Sequence, residues 1–491
     1  MLKRHRTLLF LGFSLSFFVT SGSILFYTYG YRFSLERGIF IYTGSLSLKT
    51  NVEAVSIAVD NVTLPERRLG LLNNSIHIAG LNPGEHMIEV SAPRYRTWSK
   101  KVVIQSGITT EFWNIFLTEE NYSKQAVSAT ENVIRMFPAP NGLFATVKKA
   151  DRHYAINVLD IAGEKDTEVY ATDEAAFLPE KEENIEWSPE SHKLIIPLMK
   201  EGTPLSVVVN IKTKEMIDLN TTTNIKTAIR SPRWDATTKD FLFFLDGTTL
   251  YRYDTSSPET APKLVMENVA GYDLSGNKLY YLSSANGVVY QISGNGSVDT
   301  PKQITPAPIA LGSITDRSSL IVYDDTRLSI IKEDTGTLYT YNKRIESNPL
   351  KVLGTGVKSL QYSDDGKKLL YFTDSEITVY FNQNWEAQPF RAADSIIQIA
   401  RFSSPIMNVQ WAEDYEHVIF SLGKNIKMIE LDNRDRRGLA DLLSLDAEPL
   451  QILPRFQSDS LYVVNESSSP ALAGNTVFSI TLPQYATFLG F

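Results

Sequence analysis

One unit returns along most of this chain and limits what it can become. Trp187-Ser188-Pro189-Glu190-Ser191-His192-Lys193-Leu194-Ile195-Ile196 has the same form as Tyr362-Ser363-Asp364-Asp365-Gly366-Lys367-Lys368-Leu369-Leu370-Tyr371. Each reads as an aromatic closing one strand, a polar turn, then an apolar strand. Trp234 before Phe241-Leu242-Phe243-Phe244, Tyr272 before Leu279-Tyr280-Tyr281, and Trp411 before Val418-Ile419-Phe420 repeat it. Phe137 and Phe456 head weaker copies, and a unit near Ile314 has lost its aromatic but keeps Ser318-Ser319-Leu320-Ile321-Val322-Tyr323. The intervals between these anchors are 50, 47, 38, 42, 48, 49 and 45 residues. That period selects a β-propeller, whose four-strand blades need about 40 to 50 residues each. One blade cannot bury both its faces, whereas a ring lets neighbours cover them. The expectation is a propeller over residues 131–491, with eight blades, or seven if the first or last unit is only a closing strand.

The second constraint is at the N-terminus. Thr7 to Tyr31 holds no charged residue, and is framed by Lys3, Arg4 and Arg6 before it and Arg32 after it. At about 1.5 Å per residue, Leu8 to Tyr29 makes a helix of roughly 33 Å, enough to cross a hydrocarbon layer of about 30 Å. The basic flank predicts residues 1–6 in the cytoplasm, residues 7–31 in the bilayer and the rest exported, with Tyr27, Tyr29 and Tyr31 at the far interface. A cleavable signal peptide and a buried core helix are the alternatives. Against the first, Ile24 to Tyr29 continues the apolar run and no Ala-x-Ala follows; against the second, the run is longer than a core helix needs. A lipoprotein is excluded, because there is no cysteine to acylate.

Between anchor and repeats, Arg32 to Gly38 reads as a polar neck and residues 40–118 as a small all-β unit. Phe40-Ile41-Tyr42, Ser45 to Leu48, Val55 to Val59, Ser75 to Ile78, Leu81 to Val90 with its Pro-Gly turn, Lys101 to Ile104 and Phe112 to Leu117 are its strand-like segments. They alternate or run apolar between turn signals at Asp60-Asn61, Asn73-Asn74, Pro83-Gly84 and Ser106-Gly107, as in one simple β-sandwich. Pro83, Gly84, His86, Tyr95, Trp98, Gly107 and Thr109 stand in an order that resembles the PEGA domain of bacterial and archaeal envelope proteins. At the name-giving tetrapeptide this chain reads Asn51-Val52-Glu53-Ala54. The resemblance implies a spacer or surface-interaction module and brings no catalytic residue. Residues 119–130 read as a polar linker. Beyond them, the Trp-Ser-Pro and Ser-Asp-Asp-Gly-Lys-Lys forms resemble the repeats of TolB-type and WD40-like propellers.

Formal net charge is −8, and setting aside Lys3, Arg4 and Arg6 leaves −11 beyond the anchor. Nucleic acid is thereby an unsuited partner, since phosphate binding needs clustered cations. The six histidines (His5, His77, His86, His153, His192, His417) show no ligand spacing, and no calcium loop, nucleophile elbow, phosphate loop or sialidase Asp box occurs. Asp432-Asn433-Arg434-Asp435 reads as an exposed hairpin tip with Arg434, Arg436 and Arg437 solvated. Glu180 to Glu183 reads as a solvated loop, and Tyr485 to Phe491 as a strand tucked onto the ring. No catalytic, metal or cofactor residue is assigned.

The reading is therefore mainly β: anchor, sandwich, propeller. It predicts an envelope protein that touches lipid through residues 7–31. It would act by binding another envelope protein, a peptide or a cell-wall glycan at the channel mouth. The alternatives are an exported hydrolase with two carboxylates at that mouth, and a scaffold without a ligand of its own.

Overall fold

The computed structural model describes residues 3–34, 38–65, 67–68, 75–128, 130–178, 185–225, 227–297, 300–311, 317–455, 458–466 and 474–482. The expectations for Asn73-Asn74, Glu180 to Glu183, Ile314, Phe456 and Tyr485 to Phe491 lie outside these residues.

Eight antiparallel sheets follow one another over residues 133–172, 176–218, 229–266, 269–303, 318–354, 359–401, 406–444 and 451–481. We call them blades 1 to 8. Their burial shows how they assemble. Seven apolar clusters each join one blade to the next, for example Ile195, Trp234 and Phe244 between blades 2 and 3. An eighth, Val133, Met136, Phe144, Tyr462, Val464 and Val477, joins blade 8 to blade 1, so the series closes into a ring. The first strands of neighbouring blades lie against one another, which makes them the innermost.

The repeated motif explains the joints. The three tryptophan anchors reach back to the preceding blade: the indole Nε1 of Trp187 donates to Phe137 O (3.0 Å), that of Trp234 to Glu186 O (3.1 Å) and that of Trp411 to Gln361 O (3.2 Å). The residue after the anchor then shapes the turn. Ser188 Oγ accepts the N–H of Lys193 at 3.0 Å, Ser363 Oγ that of Lys368 at 3.0 Å, and Asp235 Oδ1 that of Thr237 at 2.8 Å.

Closure uses a strand from the other end of the chain. Gln125–Ala126 pairs with Phe478 and Ser479 and forms the outer strand of blade 8. Buried Thr130 locks it, its hydroxyl donating to Val127 O (2.7 Å) and accepting the N–H of Val477 (3.2 Å). Part of the segment read as a linker is thus structural; two residues are too few to show a strand period.

The N-terminal helix is Lys3–Thr28. A two-stranded hairpin follows, Tyr31–Ser34 paired with Ile39–Tyr42, in place of a polar neck. Phe40 to Tyr42, read as the start of the sandwich, belongs to this hairpin. The sandwich proper has one sheet of Thr109–Ile115, Gly44–Thr50 and Ile76–Leu81, and a second of Val62–Thr63, Ala54–Val59, Gly84–Ser91 and Trp98–Ile104, with Arg67–Arg68 beside Ala54–Val59. Leu46, Leu48, Ile57, Ile88, Val90 and Phe112 fill its core.

Candidate functional site

Two places bring chemistry-bearing side chains together: the inner strands of the ring, and the junction of sandwich and ring.

On the inner strands, blades 2, 4, 6 and 8 each present one acceptor to the next blade's backbone. Glu186 Oε1 accepts the N–H of Trp234 (3.0 Å) and Asp273 Oδ2 that of Val322 (2.8 Å). Gln361 Oε1 accepts the N–H of Trp411 (3.2 Å) and Gln451 Oε1 that of Met136 (2.8 Å). The first strand of a blade must expose ladder groups toward the axis, and these side chains satisfy them. Two of the four are carboxylates. Burial pushes the Glu186 and Asp273 carboxyls above the usual range, while the Arg233 guanidinium draws both back. Arg233 Nε lies 3.7 Å from Glu186 Oε2. The second oxygen of Asp273 is also engaged, by the N–H of Leu274 at 2.9 Å. The pair therefore acts on neighbouring backbone and on one shared cation.

The histidines are dispersed. His86 bridges Asp60 (2.6 Å) and Asn82 O (2.7 Å) in the sandwich, which makes the Asp60-Asn61 and Pro83-Gly84 turns one unit. His192 pairs with Asp240 (2.9 Å), His153 with Asp173 (2.8 Å) and His417 with Asp414 (2.7 Å). His77 is exposed. Among the described residues, no group of three His, Asp or Glu is placed to hold a metal ion.

At the junction, the sandwich strand Trp98–Ile104 inserts a cation into blade 7. Lys100 is 1% exposed, its Nζ 2.6 Å from Glu430 Oε1, and it donates to Asp432 O (3.0 Å) and Arg434 O (3.1 Å). Trp98 Nε1 donates to the other Glu430 oxygen (3.3 Å). From the opposite side, Arg434 stacks on Phe112, 3.7 Å to the ring centroid, and its Nη2 donates to Glu111 O (2.8 Å) and Asp432 Oδ2 (2.6 Å). Blade 6 adds Gln388, donating to Thr109 O (3.0 Å) and accepting the N–H of Glu111 (3.1 Å). The Asp432 to Asp435 turn is thus no solvated hairpin tip. Its arginine is needed by the sandwich, a contact more than 300 residues distant in sequence that local pattern cannot reveal. Beside this seam opens a cleft of about 440 Å³, lined by Arg96, Phe116, His417, Arg436, Arg437 and Leu439 among others.

No protein-family model matches the chain, and no curated protein matches it. Among solved structures it is similar in shape to a eukaryotic initiation factor (13% identity, 76% of this chain and 92% of that one, TM-score 0.45). It is also similar to Sqt1 of Saccharomyces cerevisiae (11% identity, 73% and 100%, TM-score 0.44) and to the Dos1 propeller (12% identity, 75% and 97%, TM-score 0.47). These are likenesses of overall shape at low identity, and the eight-bladed ring described above stands on its own strand pairing.

Proposed function

We propose that this chain is a single-pass, membrane-anchored binding protein of the cell envelope. Its sandwich is a PEGA-like spacer next to the bilayer, and its propeller presents the interaction surface outside the cytoplasm. The observation that carries the reading is the continuity of one apolar surface from helix to hairpin. From Thr7 to Thr28 the helix carries no charged residue, and its apolar span is not buried inside the rest of the chain. Its end packs directly on the hairpin, Phe26 lying 5.2 Å from Tyr31 and 5.9 Å from Phe40 between ring centroids. Phe33, Ile39 and Phe40 remain 53%, 55% and 61% exposed. Water would leave such a surface uncovered at a cost, whereas a headgroup layer accommodates aromatic rings beside a spanning helix. Arg32, the cation of this strand, folds back on the helix, 3.4 Å over the Tyr27 ring.

Binding is favoured over hydrolysis because Glu186 and Asp273, the converging carboxylates of the inner strands, are engaged with backbone N–H groups and Arg233.

The chain has no cysteine, so Phe18→Cys, Phe40→Cys and Val62→Cys each give one labelling site. In vesicles, spin labels at 18 and 40 are expected to be reached by oxygen, and one at 62 by an aqueous nickel complex. Nickel access at 18 overturns the anchor; nickel access at 40 alone removes the hairpin from the membrane. Crosslinking in intact cells tests the binding role, and recovery of the bait alone counts against it.

A further inference from the structure

The cleft between sandwich and blade 7 gathers three arginines around one lining carboxylate, Glu430. The chain beyond its first six residues has a formal charge of −11, yet Arg96, Arg436 and Arg437 all line this one cavity. The nearby carboxylates are already committed. Glu430 is held by Lys100, by Trp98 Nε1 and by the backbone N–H of Gly438, and Asp414 is held by His417. Among the described residues, Arg96, Arg436 and Arg437 form no ion pair; Arg96 reaches only Glu120 O, at 3.5 Å. The Nε of Arg437 is buried and has no hydrogen-bond partner. A buried guanidinium N–H without an acceptor is costly, and native proteins keep few such groups. Burial, and then the neighbouring Arg391, push the Arg437 pKa down, and Glu430 and Asp432 draw it back only in part, so its charge is held in a site that on balance disfavours it.

We infer that this cleft is a binding site for an oxyanion, the carboxylate or phosphate head of a ligand small enough to enter about 440 Å³, with half-buried Arg437 as the inner donor and Arg96 and exposed Arg436 beside it. A guanidinium presents paired donors that match either oxyanion, and the adjacent Phe116 and Leu439 offer apolar surface to the remainder of the ligand. The inference rests on the reading that the chain binds rather than catalyses, and gives that reading a ligand chemistry. It also gives the seam a purpose: Arg96 comes from the sandwich and Arg436 and Arg437 from blade 7, so the site exists only when the two are docked.

The test titrates the full chain in detergent with sodium phosphate and, separately, sodium acetate. Sodium chloride holds ionic strength constant, and thermal midpoint and tryptophan fluorescence are followed. Saturable stabilisation is expected, and whichever anion acts at the lower concentration identifies the headgroup class. Arg437→Gln is expected to weaken that binding about tenfold or more, since a charge-assisted bond is lost. Arg152→Gln, an exposed change in blade 1, leaves it unaltered. In the absence of anion, Arg437→Gln is expected to melt no lower than the parent, because relief of charge burial and of repulsion from Arg391 outweighs the lost attraction of Glu430 and Asp432; a structural role would make it melt lower. Stabilisation no greater than that of chloride, or binding unchanged in Arg437→Gln, overturns the site. Anion binding that depends on Arg437 alongside crosslinking that recovers only the bait would retain the site and reject a macromolecular partner.

Discussion

Glu186 and Trp234 clasp each other in both directions. The Glu186 carboxylate accepts the backbone N–H of Trp234 at 3.0 Å, and the Trp234 indole donates to the backbone oxygen of Glu186 at 3.1 Å. Gln361 and Trp411 repeat the clasp four blades later, at 3.2 Å and 3.2 Å. A neutral amide thus serves where a carboxylate does, which makes Glu186→Gln a conservative change. Glu186→Ala strands the Trp234 N–H and is expected to cost about 1–3 kcal/mol in chemical denaturation.

The same geometry sets a pH dependence. Burial raises the folded-state pKa of Glu186 and of Asp273 above their unfolded values. The folded state then binds more protons, so the stability these groups contribute is present below the unfolded pKa and lost as pH rises through the folded one. Denaturation midpoints measured from about pH 4 upward are expected to fall less steeply in Glu186→Gln/Asp273→Asn than in the parent. Parallel curves would contradict this.

Gly271 marks a close approach of two inner strands. A Cβ there would lie 2.0 Å from Ser318 O, backbone that cannot turn aside. Gly271→Ala is expected to destabilise by about 1–3 kcal/mol, loosening the joint of blades 4 and 5. Hydrogen exchange should rise first in Val269–Ser275 and Ser318–Asp324.

Ring closure depends on Thr130, whose hydroxyl is both donor and acceptor between the closing strand and blade 8. Thr130→Val keeps the shape and removes both bonds. Exchange is expected to increase in Asn475–Thr481 before any other strand, with a global loss of about 1–3 kcal/mol.

Lys100→Met leaves Glu430 buried without its cation. A cost of about 3–5 kcal/mol is expected, appearing as undocking of the sandwich under limited proteolysis near residues 119–124. Lys100→Met/Glu430→Leu should recover much of it, since no unpaired charge then remains.

The sequence by itself determined the apolar helix, the presence of a small β-sandwich and the ring of repeated blades. Each is written in local order: an uncharged run of bilayer length, a period of two, and an aromatic followed by a polar turn at intervals of 38 to 50 residues. Only the tertiary structure decided which residues serve between units. Glu186 and Asp273 look like ordinary strand residues until the ring brings the next backbone against them. Arg434 and Arg437 look like solvated turn residues until the sandwich settles on blade 7. Gln125–Ala126 reads as linker until it completes the last sheet. Periodicity records which face of a strand is buried by its neighbours in sequence, whereas these contacts arise between segments that meet only once the ring has closed, and no local pattern encodes them.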